Sequence, residues 1–280
     1  MKIEVARHSG FCYGVERAIK ITEEANLGEN SIYTFGPLIH NEQVVQKLEK
    51  SGIKAVDQVD EAQDGTLIIR SHGAPQSVLI EAEKKGIEVI DATCPYVKKI
   101  QEKVNGFFNK GYAIIIVGDS NHPEVVGING WCNNQAIIVN SIEDAEKVED
   151  NGPTCMVVQT TFRYEIYEKI LQVLENRIEE IVAYNTICAA TSKRQNAALD
   201  LAKRVDAMIV IGGKHSSNTV KLAQICAGVC KNTYHIQTYF DLMVHFLEKC
   251  DKIGITAGAS TPDWVIDEII HKLEKADASP

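Results

Sequence analysis

Apolar and polar positions along the chain alternate between two rhythms. Short runs rich in Ile and Val recur throughout, and amphipathic stretches with apolar residues three or four apart separate them. Alternation of this kind predicts α/β units built on a parallel sheet. Apolar runs at 53–56, 136–139 and 234–236 predict one set of strands. TLIIRSHGAP, CMVVQTTF and KIGITAGASTP predict a second set, each ending in a polar loop. Long helices are predicted over 77–85, 164–175 and 262–275, the last opened by Pro262 behind two hydroxyl residues. An acidic or amphipathic helix should precede each of the second strands, most clearly over 143–148.

Three cysteines share one place in this rhythm. IEVARHSGFC, IEVIDATC and IVAYNTIC each end an apolar run, and VERAIK, YVKKIQEK and AATSKRQNA follow as helix-like stretches. Twenty-four residues beyond Cys12, Cys94 and Cys188 stand Gly36, Gly118 and Gly212, in the loops GPLIHNEQV, GDSNHPEVV and GGKHSSNTV. Four further on come His40, His122 and Ser216, then Glu42, Glu124 and Asn218, then Val44, Val126 and Val220. The chain is a diverged threefold internal repeat with a period of 82 to 94 residues.

The third repeat runs out of chain before its closing strand, and residues 1–7 form an unpaired strand left over. The prediction is three pseudo-threefold-related α/β lobes, each a four-stranded, mainly parallel sheet with flanking helices: residues 12–93, 94–187, and 188–280 together with 1–11. Ligands of such sheets gather at the carboxyl ends of the strands and at the following helix N-termini. That edge carries Cys12, His40, Glu42 and His72 in one lobe, and Cys94, His122, Glu124, Thr160 and Thr161 in the next. The third lobe offers Cys188, Thr191, Ser216, Ser217, Asn218 and Ser260. If the symmetry axis passes through these edges, three thiolates meet at one point.

Composition narrows the choice. The chain has 280 residues, 45% hydrophobic and 24% charged, which excludes a disordered or low-complexity protein and needs no disulfide staple. No apolar run reaches the roughly 20 residues of a membrane span, and the N-terminus lacks a signal-peptide core, so a cytoplasmic protein is expected. The net charge of −9 argues against nucleic acid or an anionic membrane as partner. Eight cysteines in a reducing cytosol are core thiols, metal ligands or catalytic groups, and no CxxC pair exists.

Three convergent thiolates leave one metal position open, which suits catalysis. An iron–sulfur cubane with one unligated iron fits the count, and a Cys₃ zinc site is the alternative. The surrounding imidazoles, hydroxyls, amide and helix N-termini suit a phosphate or diphosphate. Three function classes stay open on these grounds: a reductase, a zinc hydrolase acting on a phosphorylated substrate, and a non-catalytic iron–sulfur redox sensor.

HSGFCYGV, GPLIHNE, RSHGAP, DATCP, HPEV, QTT, TIC and SSN, with the cysteine triad, resemble the IspH/LytB family over essentially the whole chain. The resemblance implies a monomeric reductase of the methylerythritol phosphate route to isoprenoids. It implies that Cys12, Cys94 and Cys188 hold one [4Fe–4S] cluster whose open iron takes the allylic hydroxyl of 4-hydroxy-3-methylbut-2-enyl diphosphate. Two electrons and protons then remove that hydroxyl as water, giving isopentenyl and dimethylallyl diphosphates. His40, His72, His122, Ser216, Ser217, Asn218 and Ser260 would hold the diphosphate, Glu124 would deliver protons, and Thr160 would organise the hydroxyl. His215 departs from the small polar residue expected before the two serines.

The remaining candidates take bland roles. Cys132, Cys155, Cys226, Cys230 and Cys250 are expected as core thiols, and His235, His245 and His271 as structural. His8 braces the first cysteine loop. Arg17, Lys20, Lys98, Lys99, Lys193 and Arg194 follow the cysteines and form a solvated basic face. The alternative is that they form a docking patch for an acidic electron donor, ferredoxin or flavodoxin.

Overall fold

A computed structural model describes residues 1–28, 30–62, 65–242 and 250–277; His245 lies outside these described residues. Four strands open the chain: β1 (Lys2–Val5), β2 (Ser31–Phe35), β3 (Lys54–Val56) and β4 (Gly65–Ile69). Next come β5 (Glu88–Asp91), β6 (Ala113–Val117), β7 (Ile137–Val139) and β8 (Thr154–Val158). The last four are β9 (Ile181–Ala183), β10 (Ala207–Ile211), β11 (Thr233–Ile236) and β12 (Lys252–Ala257). The helices are α1 (Tyr13–Ala25), α2 (Glu42–Lys50), α3 (Gln76–Lys84), α4 (Pro95–Phe108) and α5 (Pro123–Asn129). They continue as α6 (Ile142–Ala145), α7 (Tyr164–Glu175), α8 (Ala189–Ala202), α9 (Ser217–Ala227) and α10 (Asp263–Asp277).

These elements make three four-stranded sheets, ordered β3-β2-β4-β5, β7-β6-β8-β9 and β11-β10-β12-β1. Every pairing among the described residues is parallel. In each sheet the first strand of the repeat lies between the second and the third, and the closing strand lies outside the third. β1 occupies the closing position of the last sheet, with Lys2 beside Lys252 and Val5 beside Ile255. The leftover strand at the chain start therefore completes the sheet that runs out of chain at the other end.

The chain forms two compact units. One comprises residues 1–15, 40–44 and 189–280, with the β11-β10-β12-β1 sheet; the other comprises residues 16–39 and 45–188, with the remaining two sheets. In the first unit, Ile209, Ile211, Ile253 and Ile255 pack on α10 through Val265, Ile269 and Leu273. The opposite face, with Met208 and Val210, packs on Ala198 and Leu201 of α8 and Leu222 of α9. In the second unit, Ile115 and Val117 face Ile170 and Leu174 of α7. Ile114 and Ile116 face Ile100 and Val104 of α4. Burial on both faces is why β6 (AIIIV) and β10 (AMIVI) are continuous apolar runs.

The repeat extends to single backbone bonds. Gly36, Gly118 and Gly212 each donate N–H to the last carbonyl of their repeat's second strand: Val56 at 2.7 Å, Val139 at 2.9 Å and Ile236 at 2.9 Å. Two predicted helices differ from expectation. After β3 the chain makes only one turn, at Val59–Ala62. There the Glu61 carboxylate accepts the N–H groups of Asp57 and Gln58, which caps the start of the turn locally. Over 143–148 the helix is α6, a single turn closed by a capping box of Ser141 and Asp144.

Candidate active site

Each of the three repeat cysteines stands immediately before a helix: Cys12 before α1, Cys94 as the N-cap of α4, and Cys188 before α8. A helix N-terminus favours negative charge, so a thiolate or an anion built on it is stabilised there. The backbone holds all three the same way. Cys12 N–H donates to Ala259 O at 3.2 Å, Cys94 N–H to Ser71 O at 3.0 Å, and Cys188 N–H to Thr160 O at 3.0 Å. The acceptor in each case belongs to the loop after the repeat's third strand. Every cysteine is thus clipped to a loop carrying another candidate: Ser260, His72 or Thr160. All three cysteines are half-buried.

In the second unit, Glu124 is only 2% exposed and accepts two bonds from one residue. Thr160 N–H reaches Oε1 and Thr160 Oγ1 reaches Oε2, both at 2.6 Å. Glu42, its counterpart in the first repeat, is exposed, and its Oε2 accepts from Gln237 Nε2 at 3.3 Å. Burial therefore separates two carboxylates that the repeat alone leaves equivalent. His122 caps α5, its Nδ1 accepting Glu124 N–H at 3.2 Å, and its ring meets the His72 ring edge-on at 5.5 Å. The loop carrying His72 is held through Ala74 O, which accepts from Trp131 Nε1 at 3.1 Å and from Gln101 Nε2 at 3.5 Å. Gly73 has φ +76°, and a Cβ there would stand 2.3 Å from Gln101 Nε2.

In the first unit, Ser216 caps α9 and its Oγ accepts Thr219 N–H. Ser260 Oγ donates to His40 O at 3.1 Å and lies 3.5 Å from Ser216 Oγ. Gly213 leaves room for that carbonyl, since a Cβ would stand 2.7 Å from His40 O. Asn218 is 4% exposed, and neither its Nδ2 nor its Oδ1 has a hydrogen-bond partner. Ser217 opens α9 and is half-buried. His215 and Lys214 are exposed on the approach to this loop, and Gln237 Oε1 accepts Lys214 N–H at 3.0 Å. His8 is exposed with φ 63°, left-handed for a residue with a Cβ.

Four of the five other cysteines sit in the core as the sequence implies, whereas Cys250 is only half-buried at the edge of the core under α10. Cys132, Cys155, Cys226 and Cys230 are buried. Burial pushes the Cys155 thiol up to about 11 and the Cys226 thiol up to about 12. His235 lies in β11, with Nε2 3.0 Å from Gly212 O. Of the basic residues behind the cysteines, Lys20, Lys98, Lys99 and Lys193 are exposed as the sequence implies and Arg17 is half-buried, but Arg194 departs from that solvated face. Arg194 is 3% exposed. Sequence reasoning also missed Gln101 and Trp131, and it had no signal for the carbonyls of Ser71, Thr160 and Ala259.

A three-sheet α/β chain with a thiol at the start of three equivalent helices defines a narrow class. A family model described as LytB protein matches residues 3–274, and the chain belongs to that family. Among similar proteins, the 4-hydroxy-3-methylbut-2-enyl diphosphate reductase of Caldanaerobacter subterraneus subsp. tengcongensis is 51% identical over 279 residues, covering 98% of this chain and 97% of its own. The protein of that name from Clostridioides difficile is 49% identical over 278 residues, covering 98% and 99%. Two solved structures share the fold. One is the E-1-hydroxy-2-methyl-but-2-enyl-4-diphosphate reductase from Plasmodium falciparum, with TM-score 0.91 and 33% identity over 97% of this chain and 87% of that one. The other, described as (E)-4-hydroxy-3-methyl-but-2-enyl diphosphate reductase, the terminal enzyme of the non-mevalonate pathway, has TM-score 0.71 and 40% identity over 98% and 99%. Among the described residues no helix is long and apolar enough to cross a membrane.

Proposed function

We propose that this chain is a 4-hydroxy-3-methylbut-2-enyl diphosphate reductase, an iron–sulfur oxidoreductase of isoprenoid biosynthesis. Its reaction takes up two electrons and two protons, breaks the allylic C–O bond and releases water, leaving isopentenyl and dimethylallyl diphosphates. The observation that carries the reading is the threefold clip. Each cysteine N–H is bonded to a carbonyl in a loop that also bears a candidate ligand. Each clip would tie a metal-binding cysteine to the substrate-binding loop of the preceding repeat, the last repeat preceding the first.

The donor set fits an iron–sulfur group. Cys12, Cys94 and Cys188 are half-buried thiols at helix N-termini, and they would hold one [4Fe–4S] cluster. When bound, such a group supplies single electrons and a Lewis-acidic iron that no side chain offers.

The other roles belong to the chain's own side chains. His40, His72, His122, Ser216, Ser217, Asn218 and Ser260 would bind the diphosphate. Asn218 supports this assignment, because a buried amide without partners costs about 1–3 kcal/mol that an anion accepting from Nδ2 would relieve. Glu124 holds and delivers a proton at its carboxylate, oriented by the two bonds from Thr160. Thr160 fixes the carboxylate and organises the substrate hydroxyl. The lobes of residues 12–93, 94–187, and 188–280 with 1–11 are the proposed repeating units. Ferredoxin or flavodoxin is the proposed electron donor, and the proposed working form is a cytoplasmic monomer.

The test is anaerobic reconstitution followed by iron, sulfide and zinc analysis and turnover of hydroxymethylbutenyl diphosphate with dithionite and a viologen. Four iron and four sulfide per chain with turnover are expected. Glu124→Gln should retain the cluster and lose about 100-fold or more in kcat. Zinc without sulfide would point to the hydrolase, and a cluster without turnover to the sensor.

A further inference from the structure

The three helices that follow the cysteines carry a second set of related contacts. Helix α1, behind Cys12, sends Arg17 to the DATC loop, where Nη1 donates to Thr93 O at 3.2 Å, one residue before Cys94. Helix α4, behind Cys94, sets Lys103 Nζ 3.6 Å from the centroid of the Tyr184 ring, four residues before Cys188. Helix α8, behind Cys188, sends Arg194 to the SGFC loop. There Nη2 donates to Gly10 O at 2.8 Å, two residues before Cys12, and Nη1 donates to Ala190 O at 3.3 Å. Each helix serves the loop of the next cysteine in order, and the last serves the first.

The three contacts are unequal. Arg17 is half-buried and Arg194 is 3% exposed, and both bond a backbone carbonyl. Lys103 meets a ring face instead. A guanidinium stays charged even when buried, and its planar fork fixes the carbonyl it binds. Reduction of a thiolate-bound cluster adds negative charge. A fixed cation nearby in a low-dielectric setting therefore favours the reduced form.

We propose that Arg17 and Arg194 are positioning residues that lock the Cys94 and Cys12 loops for ligation and raise the reduction potential of the iron–sulfur group those cysteines hold. This rests on the assignment of the cysteines under the proposed function. Arg194 acts through the carbonyls of Ala190 in its own first turn and Gly10 in the Cys12 loop, and Arg17 through the residue adjoining Cys94. Lys103, lacking a carbonyl bond, contributes less.

EPR-monitored redox titration of the reconstituted wild type, Arg17→Gln, Arg194→Gln, Arg194→Lys and Lys103→Gln tests this, with iron loss to a chelator followed in parallel. Arg194→Gln should disfavour reduction about tenfold, which for a one-electron couple is a fall of about 59 mV. Arg17→Gln should move it in the same direction by less, and both should lose iron faster than wild type. Arg194→Lys keeps the charge and should return the potential close to the wild-type value. A purely structural brace would change iron retention and melting while leaving the potential of the remaining cluster unchanged. Loaded glutamine variants with the wild-type potential overturn the proposal. If Arg194→Gln fails to fold, Arg17→Gln and Arg194→Lys decide it by the same readings. A wild type that takes up no iron and sulfide overturns the cysteine assignment instead, so the two failures are distinguishable.

Discussion

Two groups of thiols in this chain differ sharply in their surroundings. Cys12, Cys94 and Cys188 are half-buried at helix starts, whereas Cys155 and Cys226 sit among apolar side chains that push them up to about 11 and about 12. Against an ordinary 9.0, that leaves about 100-fold less thiolate on Cys155 and about 1000-fold less on Cys226 at neutral pH. Iodoacetamide applied to the folded, metal-free protein at pH 8 should therefore label the three repeat cysteines first. Mass spectrometry of digested protein reads the order, and early labelling of Cys155 or Cys226 would contradict it. Asp91 supplies a second residue-scale test. Burial alone would raise its pKa, yet the Lys98 ion pair at 2.5 Å and the bonds from Thr93 leave it lowered from 3.8. A lowered carboxyl stabilises the fold above its unfolded value and loses that contribution as pH falls through the folded one. Asp91→Asn should cost about 1 kcal/mol at pH 7, or roughly 2–4 °C in Tm. The gap should close below about pH 4. The cysteines, His122 and Glu124 stand out as candidates in sequence because residue type and spacing recur, and His72 through its loop after a strand. Arg194 was not, because a Lys–Arg pair reads as solvated until the helix carrying it is seen to turn one member inward.

At the scale of elements, α7 runs over the stretch its periodicity predicts, and α3 and α10 shift by one or two residues. Amphipathic spacing against a sheet is a strong local signal. The turn at Val59–Ala62 was read as a helix because a lone acidic turn and the start of a helix look alike in sequence. Helix α8 shows the opposite gap: it buries Thr191, Arg194 and Gln195, so its inward face is partly polar and periodicity underreports it. The contact between α5 and the His72 loop also eludes pattern reading. Gly130, at ordinary helical angles, lies so close to Pro75 that a Cβ would stand 2.4 Å from Pro75 Cβ and 2.6 Å from its Cα. Gly130→Ala should destabilise by about 1–3 kcal/mol through overpacking. It should also raise KM more than it lowers kcat, because the displaced loop carries a proposed diphosphate ligand. Urea melts and steady-state kinetics measure the two effects, and an unchanged KM would detach the loop from substrate binding.

For the whole molecule, the repeat predicted all three sheets and the borrowed β1, because strand order follows once the third repeat is found one strand short. The compact units were not legible, since they depend on packing between segments far apart in the chain. Net charge is a property of this scale as well. Lys20, Lys99 and Lys193 are exposed, and they remain available for docking after Arg194 is withdrawn into the interior. Reversing these three to Glu should slow reduction by ferredoxin or flavodoxin about tenfold at low salt, less at high salt, and leave dithionite-driven turnover unchanged. Stopped-flow reduction at two ionic strengths reads this out, and equal slowing with both reductants would exclude electrostatic steering.

The pairing of β1 with β12 sets a timetable for biogenesis. At ribosomal speeds of about 5–20 residues per second, Lys2 leaves the peptidyl centre about 12–50 seconds before its neighbour Lys252 is made. Through that wait the Cys12 amide has no Ala259 carbonyl to bind. A nascent polypeptide can finish its middle sheets early, but the Cys12 clip must await synthesis of Ala259.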